Sequence, residues 1–166
     1  MTAPAAKSIA SKIIAPRADS APAIEGFGLK KPVVFTNGVF DVLHRGHVSY
    51  LEAARALGGS LIVGLNTDAS AKRLGKGPDR PLNKQDDRAH VIAALASVDA
   101  VVFFDEDTPY ELIEAIRPDI IVKGGDYDMS QLPEAQLVQS WGGQAMALQF
   151  VDGYSTTALV KKIRAS

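Results

Sequence analysis

The sequence predicts an α/β fold, a single doubly wound three-layer sandwich built on a five-stranded parallel sheet. Three observations carry this. From residue 31 onward, short apolar, β-branched runs alternate with longer segments of helical periodicity. The strand runs lack polar alternation, as strands covered on both faces do. Enough chain separates successive strands for a helical crossover, and right-handed crossovers place helices on both sides of the sheet.

Residues 1–25, rich in Ala, Pro and Ser, read as a flexible N-terminal tail with a short helix over 11–14, and residues 26–166 as the one domain. Val33-Val34-Phe35 is the first strand. A helix over 48–57 presents Leu51, Ala54 and Leu57 on one face and stops at Gly58-Gly59. Residues 61–65 form the second strand, followed by a basic, glycine-containing loop and a helix over 84–97 capped by Asn83. The third strand is 100–104. Thr108-Pro109-Tyr110-Glu111 then spells a helix start, with Thr as cap, Pro at the first position and Glu closing a capping box. That helix ends before Pro118; 120–123 is the fourth strand, 133–141 a helix and 145–150 the fifth strand. Ser155 or Thr156 caps a last helix to residue 164. The order of elements is Rossmann-like.

Composition excludes several functions. A formal net charge of −1 supplies no basic field for nucleic acid or an anionic membrane. The absence of cysteine removes disulfides, thiolate metal sites and a thiol nucleophile, and suits a reducing cytoplasm. No apolar run approaches a membrane span, and Ile13-Ile14-Ala15 is too short to be the core of a secretory signal.

Ligands of such sheets bind beyond the carboxyl ends of the strands. The first strand is followed there by Asn37, Gly38, Phe40, Asp41, His44 and His47. Asn66 and Asp68, then Lys72, Lys76 and Arg80, follow the second. Lys123, Gly124 and Asp126 follow the fourth, and Ser155-Thr156-Thr157 the fifth. In His44-Arg45-Gly46-His47, two imidazoles bracket a glycine where a helix begins, a natural phosphate site. Gly46, lacking a Cβ, lets backbone N–H groups come close to a phosphate. The basic stretch 72–80, with Gly75, Gly77 and Pro78, reads as a mobile lid. Ser155-Thr156-Thr157 at a helix start suits a terminal phosphate. His90, in mid-helix, is structural or on the surface.

Phe40-Asp41 before His44-Arg45-Gly46-His47, with Ser155-Thr156-Thr157 near the end, resembles the nucleotidyltransferase (cytidylyltransferase-like) superfamily and its H-x-G-H motif. The segments Thr36 to Asp41, Gly64 to Asp68, Gly77 to Pro81 and Val122 to Tyr127 are similar to those of the stand-alone bacterial heptose 1-phosphate adenylyltransferases. The resemblance implies transfer of the adenylyl group of ATP to D-glycero-β-D-manno-heptose 1-phosphate. ADP-heptose and pyrophosphate would form in the cytoplasm, for the lipopolysaccharide inner core. It implies His44, His47 and Lys76 as catalytic residues. Asn37, Gly38, Phe40, Asp41, Gly46, Asp126, Ser155, Thr156 and Thr157 fall to the nucleotide. Asn66, Asp68, Lys72, Arg80, Lys123 and Gly124 fall to the substrate. A cationic imidazolium is the form expected beside a triphosphate. Mg²⁺ would accompany ATP, with Asp41 beside the metal or orienting a histidine. The implied partners are ATP and a sugar 1-phosphate; a homodimer is compatible with the resemblance. The residues leave ATP and CTP open, because the turn segments have counterparts in glycerol 3-phosphate cytidylyltransferase. A nucleotide-binding sensor without catalysis is the alternative of a different class.

Overall fold

The computed structural model describes residues 7–14, 24 and 26–166. Its sheet has six strands: β1 (Ile13–Ile14), β2 (Val33–Gly38), β3 (Ser60–Asn66), β4 (Ala100–Phe104), β5 (Ile120–Gly124) and β6 (Gln144–Leu148). All neighbours are parallel, in the order β1-β4-β3-β2-β5-β6. The expected five strands are thus corrected to six, and the added one lies where a short helix was expected. A 3-10 turn, Ala10–Lys12, leads into Ile13 and Ile14, which pair with Val101 and Val102 on the free edge of β4. Two β-branched residues carry no periodicity; an open sheet edge decides their conformation. Lys12 secures the strap by donating to the carbonyl oxygens of Val98 (2.7 Å) and Leu95 (3.3 Å). The rest of the expected tail, 1–6, 15–23 and 25, lies outside the described residues.

The helices are α1 (Arg45–Arg55), α2 (Asp68–Arg73), α3 (Gln85–Ala93), α4 (Tyr110–Ile116), α5 (Pro133–Ser140) and α6 (Thr156–Arg164). Helix α2 was not expected; Thr67 starts it by accepting from the Ser70 N–H at 3.1 Å. Helix α3 is shorter than 84–97 and begins after Lys84, because the backbone N–H and side chain of Asn83 are both bound to Asp41. The capping box at Thr108 does not form. Pro109 is the N-cap of α4, so Thr108 and Glu111 each stand one position too early for reciprocal bonds. Ser155 does cap α6, accepting from the Ala158 N–H at 3.3 Å.

Alternate residues of each strand feed two cores. Val34, Leu61, Val63, Leu65 and Val101 pack under α1 and α3 through Leu51, Ala54, Ala89 and Ile92. Phe35, Ile62, Val102 and Ile121 pack on the other face under α4 and α5 through Leu112, Ile113, Ala135 and Val138. The result is the doubly wound three-layer sandwich. The chain runs outward from β2 in both directions, through β3 and β4 on one side and β5 and β6 on the other. The switch point, where such sheets take their ligands, is therefore the end of β2 at Asn37-Gly38.

Candidate functional site

Beyond Gly38 the chain must turn sharply to enter α1. Phe40 takes a left-handed backbone (φ 47°), and its ring lies over Gly38, where a Cβ would be 2.9 Å from the ring edge. His44 is then the N-cap of α1 in extended backbone (φ −141°), with its carbonyl accepting from the His47 N–H at 3.0 Å. One helical turn brings the imidazoles face to face, with centroids 3.8 Å apart and planes at 18°. Phe40 meets His47 edge-on at 5.3 Å, and Tyr154 lies parallel to His44 at 6.1 Å. Both Nδ1 atoms are buried without a hydrogen-bond partner. Packing, not a hydrogen-bonded carboxylate, therefore orients the rings.

Burial, the neighbouring His44 and Lys76 push His47 down to about 4, and burial also lowers His44. Without ligand the pair is neutral at pH 7. The cationic form expected beside a triphosphate thus needs the anion itself to draw the proton.

The imidazoles face a cleft of about 570 Å³ at the carboxyl ends of the strands. Of the residues singled out from sequence, Asn37, Gly38, Phe40 and Asp41 line it, as do Asn66, Lys76 and Arg80. Lys123 and Gly124 enter from β5, and Ser155, Thr156 and Thr157 from the start of α6. Thr156 ties α6 to the histidine turn by donating to the Val42 carbonyl at 3.2 Å.

Four singled-out residues do not line the cleft. Lys72 and Asp126 are exposed elsewhere. Gly46 is buried beneath the aromatic stack; a Cβ there would meet Tyr154 Cβ at 2.9 Å and the His44 ring at 3.1 Å. Its small size serves close packing. Asp68 is ion-paired with Arg88 at 2.9 Å.

Asp41 neither orients a histidine nor stands free for a metal. Its carboxylate accepts from the backbone N–H groups of Leu82 and Asn83, each at 2.8 Å, and pairs with Arg80 Nε at 3.1 Å. It anchors the root of the basic loop, where Gly75 and Gly77 have positive φ.

Sequence reasoning missed Arg88. Its side chain is fully buried on α3, and it donates to the carbonyls of Val39 (2.8 Å), Asn66 (2.9 Å) and Asn83 (3.1 Å) as well as to Asp68. One guanidinium thus joins the histidine turn, the end of β3 and the loop root. The available signal was an arginine four residues before Ile92, on the apolar face of its helix. Phe150 was also missed as a lining residue; Tyr127 and Tyr154, which follow the fourth and fifth expected strands on the same edge, line the cleft too. Beneath the floor, the hydroxyls of Thr36 and Tyr50 are hydrogen-bonded to each other at 2.7 Å, and the one that accepts in that bond donates to the Val122 carbonyl, which lies within 3.0 Å of Thr36 and 3.3 Å of Tyr50; burial pushes the Tyr50 phenol up to about 12. His90 is on the surface of α3, as expected.

A model of the cytidylyltransferase-like family matches residues 35–162, a span that contains every residue lining the cleft. The chain belongs to that family. Among relatives of this cytidylyltransferase-like protein, the D-β-D-heptose 1-phosphate adenylyltransferase of Bordetella bronchiseptica is 60% identical over 154 residues, covering 93% of this chain and 94% of that one. The bifunctional protein HldE of Magnetococcus marinus is 59% identical over 80% of this chain, which spans only 27% of that longer protein. Among solved structures, a lipopolysaccharide core biosynthesis protein from Thermoplasma volcanium superposes with a TM-score of 0.61 at 28% identity. The match covers 74% of this chain and 98% of that one.

Proposed function

We propose that the protein transfers the adenylyl group of ATP to D-glycero-β-D-manno-heptose 1-phosphate, releasing pyrophosphate and ADP-heptose. The observation that carries the reaction type is the stacked histidine pair at the start of α1. It opens into one cleft with Lys76, Arg80 and the start of α6. Support for the substrates comes from the 60% identity to a heptose 1-phosphate adenylyltransferase across nearly the whole of both chains.

The sugar phosphate is already an anionic nucleophile, so the protein needs to supply alignment and charge neutralisation rather than a strong base. In this reading one phosphate oxygen attacks the α-phosphorus in line, and the bond to the pyrophosphate oxygen breaks. His44 and His47 donate to the α-phosphoryl oxygens, whose negative charge raises the imidazole pKa as they bind. Lys76, on the glycine-flanked loop, neutralises the leaving pyrophosphate or the incoming phosphate. Arg80 is held by Asp41 and keeps the loop root in register. Ser155, Thr156 and Thr157 present the positive end of α6 to the terminal phosphates.

The cleft residues do not fit a resident metal cage. The Asp41 carboxylate is fully engaged, Asp107 pairs with Arg73 at 2.7 Å, and among the described residues no group of three or more His, Cys, Asp or Glu is placed to hold an ion. Mg²⁺ belongs here to the substrate, as magnesium–ATP, and no step is routed through it. Among the described residues no helix is long and apolar enough to cross a membrane. In this reading the reaction runs in the cytoplasm.

Incubation with ATP or CTP and a panel of sugar and polyol phosphates, with product identification, tests the proposal. ADP-heptose and pyrophosphate should form in equal amounts from ATP and the heptose phosphate. Turnover confined to CTP with glycerol 3-phosphate would overturn it, and nucleotide binding without turnover on any acceptor would indicate a sensor.

A further inference from the structure

Lys123, half-buried, and Glu134, buried, form a charge pair that the proposed chemistry does not use. Lys123 stands near the end of β5, with its Nζ 2.7 Å from Asn37 Oδ1 and 3.9 Å from Glu134 Oε1. Glu134 lies in the first turn of α5 and is only 6% exposed. Its contact with Lys123 is electrostatic, being too long for a hydrogen bond. Asn37 is the penultimate residue of β2, at the switch point, and lines the cleft, its Cβ lying over Gly64 of β3.

An ammonium can only donate, so the Asn37 atom facing Lys123 must be the carbonyl oxygen. The amide nitrogen is thereby turned away from Lys123. No described residue accepts from it, and it is not among the buried atoms lacking a partner, so its N–H groups are left for the cleft. We propose that Glu134, acting through Lys123, positions the Asn37 carboxamide as a pure donor, so that Asn37 selects acceptor atoms on the nucleotide. Only the identity of the ligand rests on the proposed function.

The pair is needed because the lysine side chain is largely withdrawn from water, only 18% exposed. Burial lowers the Lys123 pKa and the Glu134 charge opposes this. A neutral amine would accept a hydrogen bond, and the carboxamide could then turn over and show its oxygen to the cleft. Glu134 therefore guards against reversal of polarity at Asn37. Of the elements around Lys123, α5 brings the charge that acts on it; β2 brings the neutral Asn37, α1 brings His44, His47 and Tyr50 to the cleft, and the basic loop brings Lys76.

The test is nitrogen-15 NMR of the Asn37 side-chain amide, which needs no turnover. In the wild type its resonances should stay constant through neutral pH, move as Lys123 deprotonates, and shift when magnesium–ATP is added. In Glu134→Gln the pH midpoint should fall by about one unit, the scale for losing an opposite charge some 4 Å away. At alkaline pH that variant should lose ATP affinity before the wild type does. An unchanged midpoint, or an Asn37 amide indifferent to ATP, overturns the proposal. Should Glu134→Gln not fold, Lys123→Met serves instead: the pH step should vanish, and its persistence overturns the proposal. Failure of these arms in a protein that still makes ADP-heptose leaves the proposed function intact.

Discussion

Arg88→Met keeps the length of the aliphatic stem and removes the guanidinium. The Val39, Asn66 and Asn83 carbonyls then lose a donor, and Asp68 loses its ion-pair partner. Breaking a buried pair by removing one member costs about 3–5 kcal/mol, largely because the surviving groups stay desolvated. Asp68 is partly open to water (35% side-chain exposure) and can rehydrate, which argues for the lower half of that range. The carbonyls, in contrast, are held by the fold and keep their penalty. The expected loss is about 4 kcal/mol, or roughly 8–16 °C in Tm for a chain of this size. Urea unfolding followed by circular dichroism should show the midpoint falling with little change in slope. Arg88→Lys should recover only part of the loss, since one ammonium cannot span acceptors on three separate segments. A loss below about 1 kcal/mol in Arg88→Met would refute the view that this side chain holds the cleft walls together.

Gly46→Ala should lower kcat at least tenfold while leaving the circular dichroism spectrum unchanged. The new methyl would press on Tyr154 and the His44 ring, and sub-ångström misplacement of catalytic groups is costly. Asp41→Asn should loosen the loop root, seen as faster proteolysis within residues 74–83 and a rise in KM for the acceptor of roughly tenfold, equivalent to about 1.4 kcal/mol. Stability should also depend on pH through His47. Its pKa is near 6.5 unfolded and about 4 folded, so between these values the unfolded chain binds more protons. Its contribution is complete above pH 6.5 and is lost as pH falls toward 4. Urea midpoints measured across that range should decline, and His47→Gln should decline less.

The parts of the fold legible in sequence were those fixed by local chemistry. Apolar strands such as Val33–Gly38 and Ala100–Phe104 announce themselves by composition, and Ser155 by its place before a periodic segment. Strand β1 was not legible, because two isoleucines become a strand only when β4 offers an edge. The capping box at Thr108 was locally correct in pattern, yet α4 begins one residue later than the box requires. At the site, the histidine turn, the basic loop and the start of α6 could be read because each follows a strand on the same edge. The functions of Asp41, Asp68 and Gly46 could not, since they depend on partners 20 to 108 residues away: Arg80 to Asn83, Arg88 and Tyr154. The neutral state of the histidines likewise follows from burial, which the sequence does not display.

The central claim is that His44 and His47 hold the phosphoryl group in flight. Steady-state formation of ADP-heptose by His47→Ala, with folding verified by circular dichroism, tests this most directly. The account predicts turnover at least about 10²-fold below wild type, the scale of one lost transition-state donor. Near-wild-type turnover in that variant would contradict it.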